Sequence, residues 1–145
     1  MNRYDNKVAM ILFPAIFGIL AGCATQARDL VGNDTVELEK VSSALGTIDS
    51  VTVIQEGEEV KLHGEVKRRP YGRGFIPGHI VLDVTDPEGQ VLERCVIDYY
   101  PGPKSTYANF HAVLKAPLPA GSTIRVIHNP HVNSSHQLNH CDGSL

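Results

Sequence analysis

Residues 60–67 read Val60-Lys61-Leu62-His63-Gly64-Glu65-Val66-Lys67. Apolar or small residues at 60, 62, 64 and 66 alternate with polar ones at 61, 63, 65 and 67. A period of two is that of a strand with one face in a core and the other in water. Just upstream, Val51 and Val53 alternate with polar neighbours, and Glu56-Gly57-Glu58 supplies a turn. The two runs are expected to form a β-hairpin.

The same period recurs downstream. Ile80, Leu82 and Val84 alternate with polar residues, and Asp86-Pro87-Glu88-Gly89 carries turn chemistry. Val91 to Tyr100 follows as a strand, apolar on both faces near Cys95, where a bulge is expected. Pro101-Gly102-Pro103 ends it. Phe110, Ala112 and Leu114 mark another strand, Pro117 to Gly121 a loop, and Ile124 and Val126 the last strand. About six short strands joined by turns argue for a mainly β fold, a small antiparallel β-sandwich or barrel. Upstream of the hairpin, Asp34-Thr35-Val36-Glu37 fits a capping box, and Leu38, Val41, Leu45 and Ile48 recur at helical spacing before or around Gly46. A short N-terminal amphipathic helix is expected there, with a strand over Val36 to Val41 as its rival.

Composition limits the function classes. The chain has 145 residues, enough for one domain with appendages. Lys and Arg total 13 against 16 Asp and Glu, a net charge of −3. No global basic field exists, so nucleic acid is not an expected partner. Thirteen Gly, nine Pro and no Trp suit a turn-rich β domain rather than a helical bundle.

The first residues read as an address. Arg3 and Lys7 precede an apolar run from Val8 to Leu20, which is shorter than the ~20 residues that span a bilayer and has the length of a signal-peptide core. Leu20-Ala21-Gly22-Cys23 follows directly. This resembles the lipobox of bacterial lipoproteins. The resemblance implies a signal peptide over residues 1–22 and lipidation of Cys23. It also implies stable membrane anchoring, since each buried CH2 of an acyl chain contributes ~0.8 kcal/mol. Ala24, rather than Asp, after the cysteine implies the outer membrane, with the domain facing the periplasm. Removing the leader takes away Arg3, Lys7 and Asp5, which shifts the charge from −3 to −4, and it removes both methionines, Met1 and Met10. The expected layout is a lipidated tether over 23–34, a sandwich over 35–128 and a polar, histidine-containing tail over 129–145.

With Cys23 lipidated, Cys95 and Cys141 remain as an even pair in an oxidising compartment. A Cys95–Cys141 disulfide is expected, worth ~4 kcal/mol on the chain-entropy model. A metal-ligating thiol and an intermolecular bridge are the alternatives. Two further resemblances concern the domain. Gly64-Glu65-Val66, Ile80 to Val84, Asp86-x-x-Gly89 and Phe110 resemble small immunoglobulin-like or fibronectin type III-like envelope domains. Val41 to Leu45, Val51-x-Val53, Gly57 and Val60 to Val66 resemble half of a BON domain, which implies phospholipid association.

Two constellations are candidates for binding. Lys67, Arg68, Arg69, Tyr71, Arg73 and Phe75 form the basic cluster, a loop in which guanidinium groups can fork onto carboxylate or phosphate beside two aromatic rings. Its expected ligands are an acidic envelope protein, lipopolysaccharide, peptidoglycan carboxylates or lipid headgroups. His128, His131, His136 and His140 could converge on Zn, Cu or Ni; absence of methionine from the exported part excludes a thioether site. The bland reading makes them a polar tail. His63, His79 and His111 read as surface residues. Enzymatic signatures are lacking: there is no Gly-x-Ser-x-Gly, His-Glu-x-x-His or phosphate-cradling loop. Ser105, Ser122 and Ser134 have no local partner, and nothing pairs Asp83 with Asp98. The expectation is a non-catalytic binding or scaffolding module without a cofactor, with divalent-metal binding by the tail histidines as the alternative.

Overall fold

The computed structural model describes residues 27–70, 74–99, 106–114, 118–131 and 139–140. Among them the chain forms only strands: β1 (Arg28–Asp29), β2 (Val36–Val41), β3 (Gly46–Glu56), β4 (Glu59–Arg68), β5 (His79–Thr85), β6 (Val91–Ile97), β7 (Tyr107–Leu114), β8 (Ser122–Asn129) and β9 (Asn139–His140). They lie in two sheets, ordered β1-β3-β4-β7 and β2-β8-β5-β6-β9. The arrangement is a β-sandwich.

The hairpin at the centre of the first sheet forms as its pattern dictates. β3 and β4 pair antiparallel from Glu56–Glu59 back to Gly46–Arg68, with Gly57 at φ 64° in the turn. Val60, Leu62 and Val66 are fully buried, together with Phe110, Ala112 and Leu114 of β7. Gly64 belongs to the same inward row because Phe110 lies over it. A β-carbon at Gly64 would fall 2.2 Å from the Phe110 Cζ. In the second sheet Ile80, Leu82 and Val84 of β5 and Ile124 and Val126 of β8 close the core from the other side. On its outer face Glu39, Arg125, Asp83 and Arg94 stand in one row across four neighbouring strands. Arg125 is bidentate to Glu39 at 2.8 and 3.1 Å, and Arg94 to Asp83 at 2.6 and 3.2 Å. Exposed pairs of this kind contribute at most about 1 kcal/mol each. They nevertheless reward one register.

Three expectations need correction. The helix expected around Val36 to Ile48 is not formed; Val36–Val41 is β2, parallel to β8. Val36 and Leu38 turn inward while Glu37 and Glu39 face solvent, so the period is two. The helix that the BON resemblance implies is missing with it. Second, the tether does not run to residue 34. Arg28–Asp29 pairs with Gln55–Ile54, and Leu30 is 1% exposed in the core. Leu30, with Val31 packed beside it and the β1–β3 backbone pairing, holds this segment on the sandwich. Third, β6 is not bulged at Cys95. Cys95, Val96 and Ile97 are all buried in unbroken register, and the shift lies between Val84↔Glu93 and Thr85↔Val91.

The strand directions give the sandwich two distinct ends. Ala27, the 57–58 turn, the 87–88 turn and the Pro119–Gly121 turn lie at one end, called here the near end. The β2–β3 connection, Arg68–Arg69, Pro77–His79, Tyr99, Thr106 and His128–Pro130 lie at the far end. With ~3.4 Å per residue, the ten residues of β4 separate them by roughly 30 Å.

Candidate functional site

The far end gathers most of the chemistry. β8 continues its inward row, Ile124 and Val126, by one more position, and that position is His128. It is 2% exposed. Its Nδ1 lies 2.7 Å from Ser43 Oγ, and its Nε2 lies 2.5 Å from the Tyr99 hydroxyl. The donors can be assigned by elimination. Ser43 Oγ already accepts from the backbone N–H groups of Leu45 and Gly46, at 3.0 and 3.1 Å. Its own O–H therefore donates to Nδ1, which leaves the proton on Nε2 to be donated to Tyr99. The Tyr99 hydroxyl then donates to Pro77 O at 3.4 Å. Every member of the row is satisfied, and His128 is neutral.

Burial pushes the His128 pKa down, with a further push from neighbouring His79 and an opposing pull from the Pro77 carbonyl. His79, 2% exposed, is also pushed down by burial, against an upward pull from Asp98. The His79 Nε2 has no hydrogen-bond partner among the described residues. Burial also raises the Tyr99 pKa, which keeps its hydroxyl protonated. The network holds the β2–β3 connection against the ends of β5, β6 and β8, and so braces the platform from which the basic loop departs.

That loop leaves β4 at Lys67–Arg68. The Lys67 amine stands over the Tyr107 ring, 5.2 Å from its centre, and Tyr107 pushes the Lys67 pKa up. Arg68 donates through Nη1 to the carbonyl of Gly74, which closes the loop at its base. Arg69 is exposed, and its backbone N–H donates to Leu45 O at 3.3 Å. Phe75 is 63% exposed, and Leu45 and Tyr107 are exposed beside the same connections. Tyr71 and Arg73 lie outside the described residues.

The metal set expected of the tail does not assemble as read. His128 is not in a tail, and both of its ring nitrogens are occupied inside the protein. His131 is exposed, His136 lies outside the described residues, and only the backbone of His140 is described. Among the described residues no group of three or more His, Cys, Asp or Glu is placed to hold a metal ion. His79 is likewise buried rather than superficial. Cys95 is engaged in a disulfide. Cys23 and Cys141 lie outside the described residues; Asn139–His140 pairs parallel with Cys95–Val96.

Ser43 and Tyr99 were missed in the sequence. Ser43 stands 85 residues from its partner in an unremarkable loop. His128 did carry a signal, its parity with Ile124 and Val126. No protein-family model matches the chain, and no curated protein or solved structure matches it either.

Proposed function

We propose that this chain is a non-catalytic binding or scaffolding module of the cell envelope, anchored to the outer membrane by lipid on Cys23 and disulfide-bonded between Cys95 and Cys141. Its binding surface is the far end, around Lys67, Arg69 and Phe75. The observation that carries this reading is the polarity of the sandwich. The chain enters at the near end beside the 57–58 turn, while the basic loop departs from the far end. Only Ala24, Thr25 and Gln26 separate Cys23 from Ala27. Even fully extended, four residue steps reach about 14 Å, so the near end stays close to the anchoring membrane.

The far-end cations then stand several Debye lengths, each about 8 Å, from that membrane's headgroups. An anionic lipid of the same leaflet is a poor match for them. A carboxylate-bearing partner deeper in the periplasm, the peptidoglycan layer, is a good one. The network also supports a non-catalytic role. A serine whose oxygen accepts two backbone N–H groups has no lone pair aimed at a substrate.

Co-sedimentation with isolated peptidoglycan sacculi tests the reading. Binding should weaken with salt and fall further in the Lys67→Gln/Arg69→Gln protein. Equal sedimentation of that variant, or preference for anionic vesicles over sacculi, would overturn it.

A further inference from the structure

The outer face of the first sheet carries a polar hollow that no strand shows on its own. The β3–β4 and β4–β7 registers set Ser50, Glu65 and Asn109 side by side in one row, and Thr52 opposite His63 in the next. Neighbouring strands lie about 4.8 Å apart, so the three polar groups of the first row recur at that interval across the sheet. These five side chains and the backbone of Gly64 line an open hollow of about 180 Å³. It forms because β3 contributes only the short Ser50 and Thr52 against the longer Glu65 and His63 of β4. The side chains of Ser50, Glu65 and Asn109 have no hydrogen-bond partner among the described residues. Glu65 is nevertheless half-buried.

We infer that this hollow binds one neutral sugar ring of a glycan. Its size suits a single ring, since pockets for drug-sized ligands run to roughly 300–1,000 Å³. Its charge suits a neutral one. Glu65 carries the one formal charge among the lining residues. The amines that flank it along β4 are held elsewhere, Lys61 on Glu56 at 2.5 Å and Lys67 over the Tyr107 ring. An anion would meet the Glu65 carboxylate, and a hard cation needs about six oxygen ligands where one carboxylate stands. The hydrogen-bonding groups suit a polyol. The carboxylate can accept from two adjacent sugar hydroxyls in charge-assisted bonds. The Ser50 and Thr52 hydroxyls and the Asn109 amide both donate and accept, as sugar hydroxyls do. The openness of the hollow lets the glycan run on across the sheet in either direction. The site lies mid-sheet, apart from the far end, and does not rest on what binds there.

Titration of the full chain with two neutral oligosaccharides, in a detergent without a sugar headgroup, tests the inference. The probes are an N-acetylglucosamine tetramer and a glucose tetramer, and the readout is backbone amide NMR shifts. Saturable shifts centred on Ser50, Thr52, Glu65 and Asn109 are expected with one probe or both. A preference for the first points to cell-wall glycan and for the second to an unsubstituted glucan, and either supports the site. Glu65→Gln should weaken binding roughly tenfold or more, the loss expected for hydrogen bonds to a charged group, and Asn109→Ala roughly threefold or more. Both changes are on the solvent face, and an unchanged spectrum elsewhere shows that the fold is kept. Arg69→Gln should leave oligosaccharide binding as it is, which separates this site from the far-end reading. No saturable shift with either probe, shifts confined to the far end, or unchanged affinity in both Glu65→Gln and Asn109→Ala would overturn the site. So would loss of binding in Arg69→Gln alone.

Discussion

Acid should loosen the far end, and the size of the effect can be worked from the two buried histidines. The ordinary imidazole pKa is near 6.5. Burial lowers both His79 and His128 from that value in the folded protein, Asp98 and the Pro77 carbonyl only partly opposing it. Above pH 6.5 both states hold the rings neutral, and the groups add no pH dependence. Below it the unfolded chain takes up protons that the folded chain resists, so stability falls as pH falls. At one unit below the ordinary pKa the loss is at most about 1.4 kcal/mol per histidine, or nearly 3 kcal/mol for both.

Urea unfolding near pH 7.5 and near pH 5.5, read by tyrosine fluorescence or circular dichroism, measures this loss. The His79→Gln protein should lose a smaller amount than the parent over the same interval, because one titrating ring is gone. A parent stability that rises on acidification, or a His79→Gln protein with the full dependence, would rule this linkage out.

Three other outcomes follow from the packing. Gly64→Ala forces a β-carbon into the Phe110 ring, so overpacking should cost about 1–3 kcal/mol in urea unfolding; Phe110→Leu in the same chain should recover part of it. Leu30→Ala should cost about 2–4 kcal/mol, the range for a buried leucine, although residue 30 precedes every long strand. Tyr99→Phe removes the acceptor of the His128 Nε2–H and should cost about 1–3 kcal/mol in the same assay.

The parts of the fold that were legible share one property: their signal is local. Val60 to Lys67 alternates cleanly, and Gly57 can take the positive φ that its turn requires. β2 was harder because Leu38, Val41, Leu45 and Ile48 recur at helical spacing, while only Val36 and Leu38 show the period of two. What decides between them is remote, the parallel pairing of Val36–Val41 with Ser122–Ile127 of β8. Leu45, which the helical pattern places inside, is 41% exposed in the connection between β2 and β3. The basic loop was visible as a cluster of charge. Its brace was not, since Ser43, Tyr99 and His128 are brought together only by the sandwich. His79 shows the limit most plainly. It lies on the outward parity of β5, opposite in phase to Ile80, yet it is buried. No alternation rule could have placed it there.

The proposed function makes the molecule polar, with lipid at one end and a cell-wall partner at the other. Photo-crosslinking in intact cells tests it directly, with the reactive group placed at Glu58 in the near-end turn or at Phe75 on the far-end loop. Lipid adducts are expected from position 58, and from position 75 adducts to peptidoglycan that the Lys67→Gln/Arg69→Gln changes abolish. Lipid adducts from position 75 would contradict it.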